Sequence, residues 1–171
     1  MKNTTEKITI MMILFFVICS FQTNAQENKI DAFKNLIGGQ WVLEGKQAAG
    51  LQGKSMYEFA WGINGKIVKV KYYNTDPKTL KFSLRNEGIR AFNAAAKRME
   101  FYEFDKYGGV TIGTVVIEDK NIHADYEYHG LTLRDTWRYI DDNQYELITG
   151  EWKDGQWGRI YHKEICTRAK D

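Results

Sequence analysis

The sequence predicts an all-β protein, an antiparallel up-and-down β-barrel of about ten strands with one short N-terminal helix. Three observations carry the prediction. From Trp41 onward the apolar period is two, broken about every 8–12 residues by turn residues, which is the pattern of an all-β barrel or sandwich. The single proline, Pro77, sits in a turn-like Asn74-Thr75-Asp76-Pro77, and a chain nearly free of proline can run strand after strand. Aromatic residues, which favour strands, reach 14%.

The first 25 residues read differently. Lys2 and Lys7 precede an apolar run from Ile8 to Cys19, and Thr23-Asn24-Ala25 offers small residues for cleavage. This is the layout of a secretory signal. Its apolar run is shorter than the roughly 18 residues a spanning helix needs. Ile18 is large where lipoprotein signals place a small residue before the anchored cysteine, so Cys19 does not read as an anchor. The expectation is a signal peptide over 1–25 and one barrel domain over 26–171, periplasmic or secreted, with no membrane span after cleavage.

Losing Lys2, Lys7 and Glu6 takes the net charge from +2 to +1. With no basic block, a nucleic-acid partner is not expected. Cys166 alone remains in 26–171, so no internal disulfide is available and the thiol is expected to be buried or half-buried and inert.

One segment reads as helix: Asn28 can cap, Asp31 suits the first turn, Ile30, Phe33 and Ile37 form a stripe, and Gly38-Gly39 ends it. Strands follow near 40–47, 55–63, 66–73, 80–91, 98–106, 110–118, 121–128, 131–140, 144–152 and 157–166. The turns fix their register, and register fixes which face is buried. Asn64-Gly65 is a two-residue type I′ signal. Folding about it pairs Trp61 with Val68, Phe59 with Val70 and Tyr57 with Tyr72, and sets Glu58 opposite Lys71. A turn at His129-Gly130 sets Asp125 opposite Arg134 and Tyr126 opposite Leu133. A turn over Asp141 to Gln144 sets Arg138 against Glu146 and Trp137 against Leu147. Asp154-Gly155 places Lys163 beside Glu146, and His162 inward beside Leu147 and Trp137. Charged pairs across the strands mark the solvent face; the other face is aromatic, and burying it on every hairpin closes the sheet.

Gly39-Gln40-Trp41, entering the first strand after a helix with Phe33 and Leu36, is similar to the Gly-x-Trp of lipocalins. With Tyr57-Glu58-Phe59-Ala60-Trp61 and Asn64-Gly65-Lys66, nearly the whole of 26–171 resembles the calycin superfamily of lipocalins, fatty-acid-binding proteins and nitrobindin-like barrels. Among these it looks closest to the uncharacterised lipocalin-like domains of exported bacterial proteins. The resemblance implies that Trp41 plugs one barrel end under a late basic residue, Arg168 or Arg159. It also implies a haem reading with His162 as axial ligand. Haem-binding members carry a glycine-rich stretch after the first tryptophan, where this chain has Val42-Leu43-Glu44-Gly45.

The inward face is expected to hold Phe104, Val115, Ile117 and Ile160 as wall. The candidate ligand-binding residues are Tyr57, Phe59, Trp61, Tyr72, Tyr102 and Tyr126, together with Asp135, Trp137, Tyr139, Tyr145, Thr149 and His162. Inward tyrosines either pack as core with partnered hydroxyls or line an apolar cavity with polar handles. Asp135, between Leu133 and Trp137, either reaches solvent at a strand end or anchors a ligand with Tyr126 or Thr149, because an unpaired carboxylate there is costly. A one-residue slip of the last hairpin would bring Arg159 inward in place of His162.

His123 and His129 read as exposed. His123, Asp125 and Glu127 share a face, which Arg134 opposite Asp125 makes a salt-bridged strand rather than a metal site. Catalysis is poorly supplied. Only Ser55 and Ser83 remain, and Cys166 lies four residues from His162, roughly 13 Å along a strand, too far for an activated thiolate pair. The chain therefore reads as a binding protein rather than an enzyme, its partner a small apolar or amphipathic molecule. The alternatives are the haem barrel and an interaction module with a packed interior and an outer patch around Trp152 and Trp157.

Overall fold

The computed structural model describes residues 29–46, 52–76, 79 and 81–169; the expected signal segment and the Asn28 cap lie outside them. Ten strands follow in chain order: β1 (Gln40–Lys46), β2 (Gln52–Gly62), β3 (Ile67–Thr75), β4 (Phe82–Asn93), β5 (Arg98–Asp105), β6 (Val110–Glu118), β7 (Asn121–Tyr128), β8 (Leu131–Asp141), β9 (Gln144–Lys153) and β10 (Gln156–Arg168). Each pairs antiparallel with its chain neighbours, and β1 closes on β10 through Trp41↔Arg168, Val42↔Thr167 and Leu43↔Cys166. The result is a closed up-and-down barrel.

The turn chemistry explains the register. Asn64 (φ 54°, ψ 33°) and Gly65 (φ 72°) form a type I′ turn closed by the Lys66 N–H donating to the Ile63 carbonyl at 3.0 Å. It yields Trp61↔Val68, Phe59↔Val70, Tyr57↔Tyr72 and Glu58↔Lys71. His129 and Gly130, both at positive φ, give Asp125↔Arg134 and Tyr126↔Leu133. The β8–β9 turn gives Arg138↔Glu146 and Trp137↔Leu147.

The last hairpin departs from its expected register. Two irregularities between Trp157 and His162 shift the pairing by two residues, so His162 lies opposite Thr149 and Glu164 opposite Leu147. The shift is even, and His162 keeps its inward side. Ile160, caught between the two irregularities, turns outward and is exposed, against expectation. Lys163 still reaches Glu146, at 3.7 Å, but from opposite Ile148.

Alternating hairpin tips give the barrel two unlike ends. One end carries the β2–β3, β4–β5, β6–β7 and β8–β9 tips and is plugged by the segment preceding β1. Within the described residues the expected helix is a 3₁₀ turn, Asp31–Phe33, and Gly38 (φ 75°) ends the segment. Ile30, Phe33 and Leu36 are buried there. The Gly38 N–H donates to the Phe59 carbonyl (3.1 Å), and the Trp41 indole N–H to the Leu36 carbonyl (2.9 Å). The Arg168 guanidinium lies 4.5 Å from the Trp41 ring centre and donates to the Asn35 carbonyl. The opposite end carries the other hairpin tips and no such plug among the described residues.

Candidate functional site

Above the plug the barrel encloses a cavity of about 290 Å³. Strand direction sorts its lining by height. Phe33, Phe59, Val115, Ile122, Trp137 and Leu147 form an apolar floor. Two to four residues further from the plug the lining turns polar, with Ser55 on β2, Tyr72 on β3, Tyr126 on β7, Asp135 on β8 and Thr149 on β9; Asn86 and Arg90 on β4, Glu103 on β5 and His162 on β10 complete the polar lining.

The floor rings are set against one another. Trp137 meets Tyr57 and Phe59 edge-on, with centroids 5.0 and 5.1 Å apart, and Tyr57 lies 4.5 Å from Tyr72. Burial pushes the Tyr57 and Tyr126 hydroxyls well above their ordinary range, so both stay protonated and available as donors.

The polar tier contains one closed ion pair and one open acid. Arg90 Nη2 lies 3.0 Å from Glu103 Oε2, while Glu103 Oε1 accepts from Asn86 Nδ2 at 2.7 Å. The Arg90 guanidinium also stands 4.9 Å from the Phe101 ring centre. Among the described residues the partners of Asp135 are hydroxyls, those of Thr149 and Tyr126, the latter donating at 3.4 Å. Burial raises its pKa to about 6; the Glu103 charge adds to the rise, while the two hydroxyls and Arg90 oppose it. Asp135 stands mid-strand on β8 at the cavity wall rather than at a strand end.

Of the residues expected at the site, Tyr57, Phe59, Tyr72, Tyr126, Asp135, Trp137, Thr149 and His162 converge on the cavity. Four do not. Tyr102 points outward, because β5 turns Met99, Phe101 and Glu103 inward, and its hydroxyl donates to Glu100 at 2.8 Å in an outer cluster with Arg98 and Asn93. Phe104 is exposed for the same reason of parity. Trp61 has the inward parity but stands at the plugged end, 38% exposed. Tyr139 and Tyr145 lie beneath the cavity: the Tyr145 ring packs edge-on to Trp41 (5.3 Å) and to Tyr139 (5.5 Å).

Arg90, Glu103, Asn86 and Ser55 line the cavity and were not foreseen. The signal that reveals the first two is glycine opposite bulk. Gly88 and Gly113 sit across from β5, and a Cβ on Gly113 would lie 2.4 Å from Phe101, which marks Phe101 and its neighbours of equal parity as the inward set.

Outside the cavity, His123 is buried rather than exposed, its Nδ1 2.8 Å from Thr136 Oγ1 and its Nε2 3.5 Å from Glu118. Arg134 grips Asp125 with two bonds, at 2.6 and 2.7 Å, and covers Trp152, its guanidinium 3.8 Å from that ring centre. Trp152 packs edge-on against Trp157 at 5.1 Å. His162 Nε2 lies 3.6 Å from Glu164 Oε2. Cys166 is fully buried, and burial pushes its thiol far above the ordinary range, which leaves it without nucleophilic thiolate.

No protein-family model matches the chain, and no curated protein matches it with significant similarity.

Proposed function

We propose that this chain is an exported, calycin-like carrier of a small amphipathic molecule, bound apolar end first in the barrel. The observation that carries the reading is the division of the cavity by height, with rings and aliphatic groups nearest the plug and hydrogen-bonding groups further from it. Ligand pockets are mostly apolar with a few placed polar groups. At about 290 Å³ this one lies just below the usual range of roughly 300–1,000 Å³, which suits a compact molecule better than a long acyl chain or a porphyrin. The calycin assignment is supported by the Trp41 plug under Arg168, and export by the charged–apolar–small order of residues 1–25.

The test is dye binding to the chain comprising 26–171. A small environment-sensitive apolar dye is expected to bind one to one and to quench or shift the tryptophan emission through Trp137. Ala124→Leu, which grows a side chain into the cavity from β7, is expected to weaken binding tenfold or more while the far-ultraviolet circular dichroism stays that of the native barrel. Undiminished binding in a folded Ala124→Leu variant would place the dye elsewhere and end the reading. Native mass spectrometry of protein purified from its own source adds a direct readout of any retained molecule.

A further inference from the structure

We propose that the polar end of the ligand is a protonated amine, held by the Asp135 carboxylate within the walls of Tyr57, Tyr72 and Trp137. This rests on the cavity being a binding site and adds the charge class of what it binds.

Arg90, the cavity's guanidinium, is committed to Glu103 at 3.0 Å, and the second Glu103 oxygen is taken by Asn86. An anionic ligand would have to break that pair, and it would also face Asp135. The Asp135 partners, Thr149 and Tyr126, are neutral hydroxyls. His162 is in the same cross-strand row, but two strands away, roughly 10 Å at the usual strand spacing, and its imidazole approaches Glu164. Among the described residues no cation is bonded to Asp135, and a carboxylate so placed on a cavity wall is costly until a counter-charge arrives.

The surroundings favour a cation of a specific kind. Trp137 is two residues along β8 from Asp135 and on the same face, and its plane stands nearly perpendicular to those of Tyr57 and Phe59. Rings set at right angles around a site offer an ammonium both faces and edges, and the faces attract it. A primary amine carries three N–H donors, for which the Asp135 carboxylate and the hydroxyl oxygens of Tyr57 and Tyr72 in the same cavity are acceptors. The hydrocarbon below it would rest on Phe59, Val115 and Leu147.

The experiment is a displacement titration with three probes of similar hydrocarbon size: phenethylamine, 2-phenylethanol and 3-phenylpropanoate. At pH 8 the amine is expected to bind at least tenfold tighter than the alcohol, and the carboxylate more weakly than either. Asp135→Asn should abolish the amine's advantage while leaving alcohol binding within about threefold. Amine affinity should also fall as pH drops through about 6, where Asp135 takes up its proton, with alcohol affinity flat. The other titratable and charged groups lining the cavity are Glu103 and Arg90, Tyr126, Tyr57 and Tyr72, and His162 across β9. Measuring alcohol and amine side by side subtracts their shared effects. Equal binding of amine and alcohol, tighter binding of the carboxylate, or an amine preference that survives Asp135→Asn overturns the inference and leaves the cavity reading standing. Failure of the dye and all three probes to bind overturns both.

Discussion

Asp135 has its ordinary carboxyl pKa of 3.8 raised to about 6, chiefly because its cavity wall is a poor substitute for water. A group held more tightly protonated in the folded state than in the unfolded one weakens folding when the proton leaves. Stability associated with Asp135 is therefore fully present below about pH 4 and is lost as pH rises through about 6. The shift bounds the loss at about 3 kcal/mol, reduced by whatever water the cavity admits. Asparagine keeps the shape and the partners of Thr149 and Tyr126 without the charge. Asp135→Asn is expected to exceed the native chain in stability by about 1–3 kcal/mol at pH 8 and to match it near pH 3.5. Urea unfolding at both pH values checks this, and equal stability at pH 8 would mean the native carboxylate is already compensated. A residue that destabilises its own fold at neutral pH is what a ligand-contacting group looks like energetically.

At the scale of single strands, β5 is the one whose facing decides the chemistry. It passes so close to β4 and β6 that a Cβ on Gly88 would lie 2.2 Å from the Tyr102 carbonyl oxygen and 2.9 Å from the Glu103 Cα. Those are backbone atoms, which cannot swing aside as a side chain does. Gly88→Ala is expected to cost about 2 kcal/mol or more and to disturb the Arg90–Glu103 pair, measurable as a lower urea midpoint together with changed Phe101 and Glu103 resonances. The same strand marks the limit of what the sequence discloses. Registers tied to a two-residue turn, such as Asn64-Gly65 and His129-Gly130, can be read residue by residue because the turn type admits one pairing. The β4–β5 connection is a four-residue turn over 94–97, and both faces of β5 carry large apolar groups, Met99 and Phe101 on one and Tyr102 and Phe104 on the other. Hydrophobic alternation is then ambiguous, and choosing the wrong face hides Glu103 and Arg90 while promoting Tyr102. The two-residue slip in β10 is equally silent in the sequence, since bulges answer to barrel curvature rather than to local alternation. Asp135, by contrast, is legible in the sequence because a carboxylate on an aromatic face demands a reason.

The whole molecule depends on one long-range event. Nine of its ten strand pairings join chain neighbours, and each can form locally, whereas β1 and β10 meet through three residue pairs after nearly all the chain has been ordered. Such a contact bears the full loop-closure entropy and gains little from its own ladder. What compensates is the plug. Arg168, on the last strand, covers Trp41 on the first and bonds the Asn35 carbonyl; Asn35 in turn donates to Asp142 at the β8–β9 tip at 3.1 Å. One guanidinium thus ties the leading segment, the first strand and the last. Arg168→Met keeps a similar stem but loses the charge-assisted bond and the cation–π contact, a loss of about 2–4 kcal/mol from the two together. The loss should be uneven. Amides of β1 and of the Cys166–Arg168 end of β10 are expected to exchange with solvent about tenfold or more faster than the global decrease in stability alone requires, while those of β6, β7 and β8 follow only that decrease. Hydrogen exchange followed strand by strand makes the distinction. Uniform acceleration would show that the barrel opens as a unit, and that the β1–β10 seam is no weaker than the hairpins it completes.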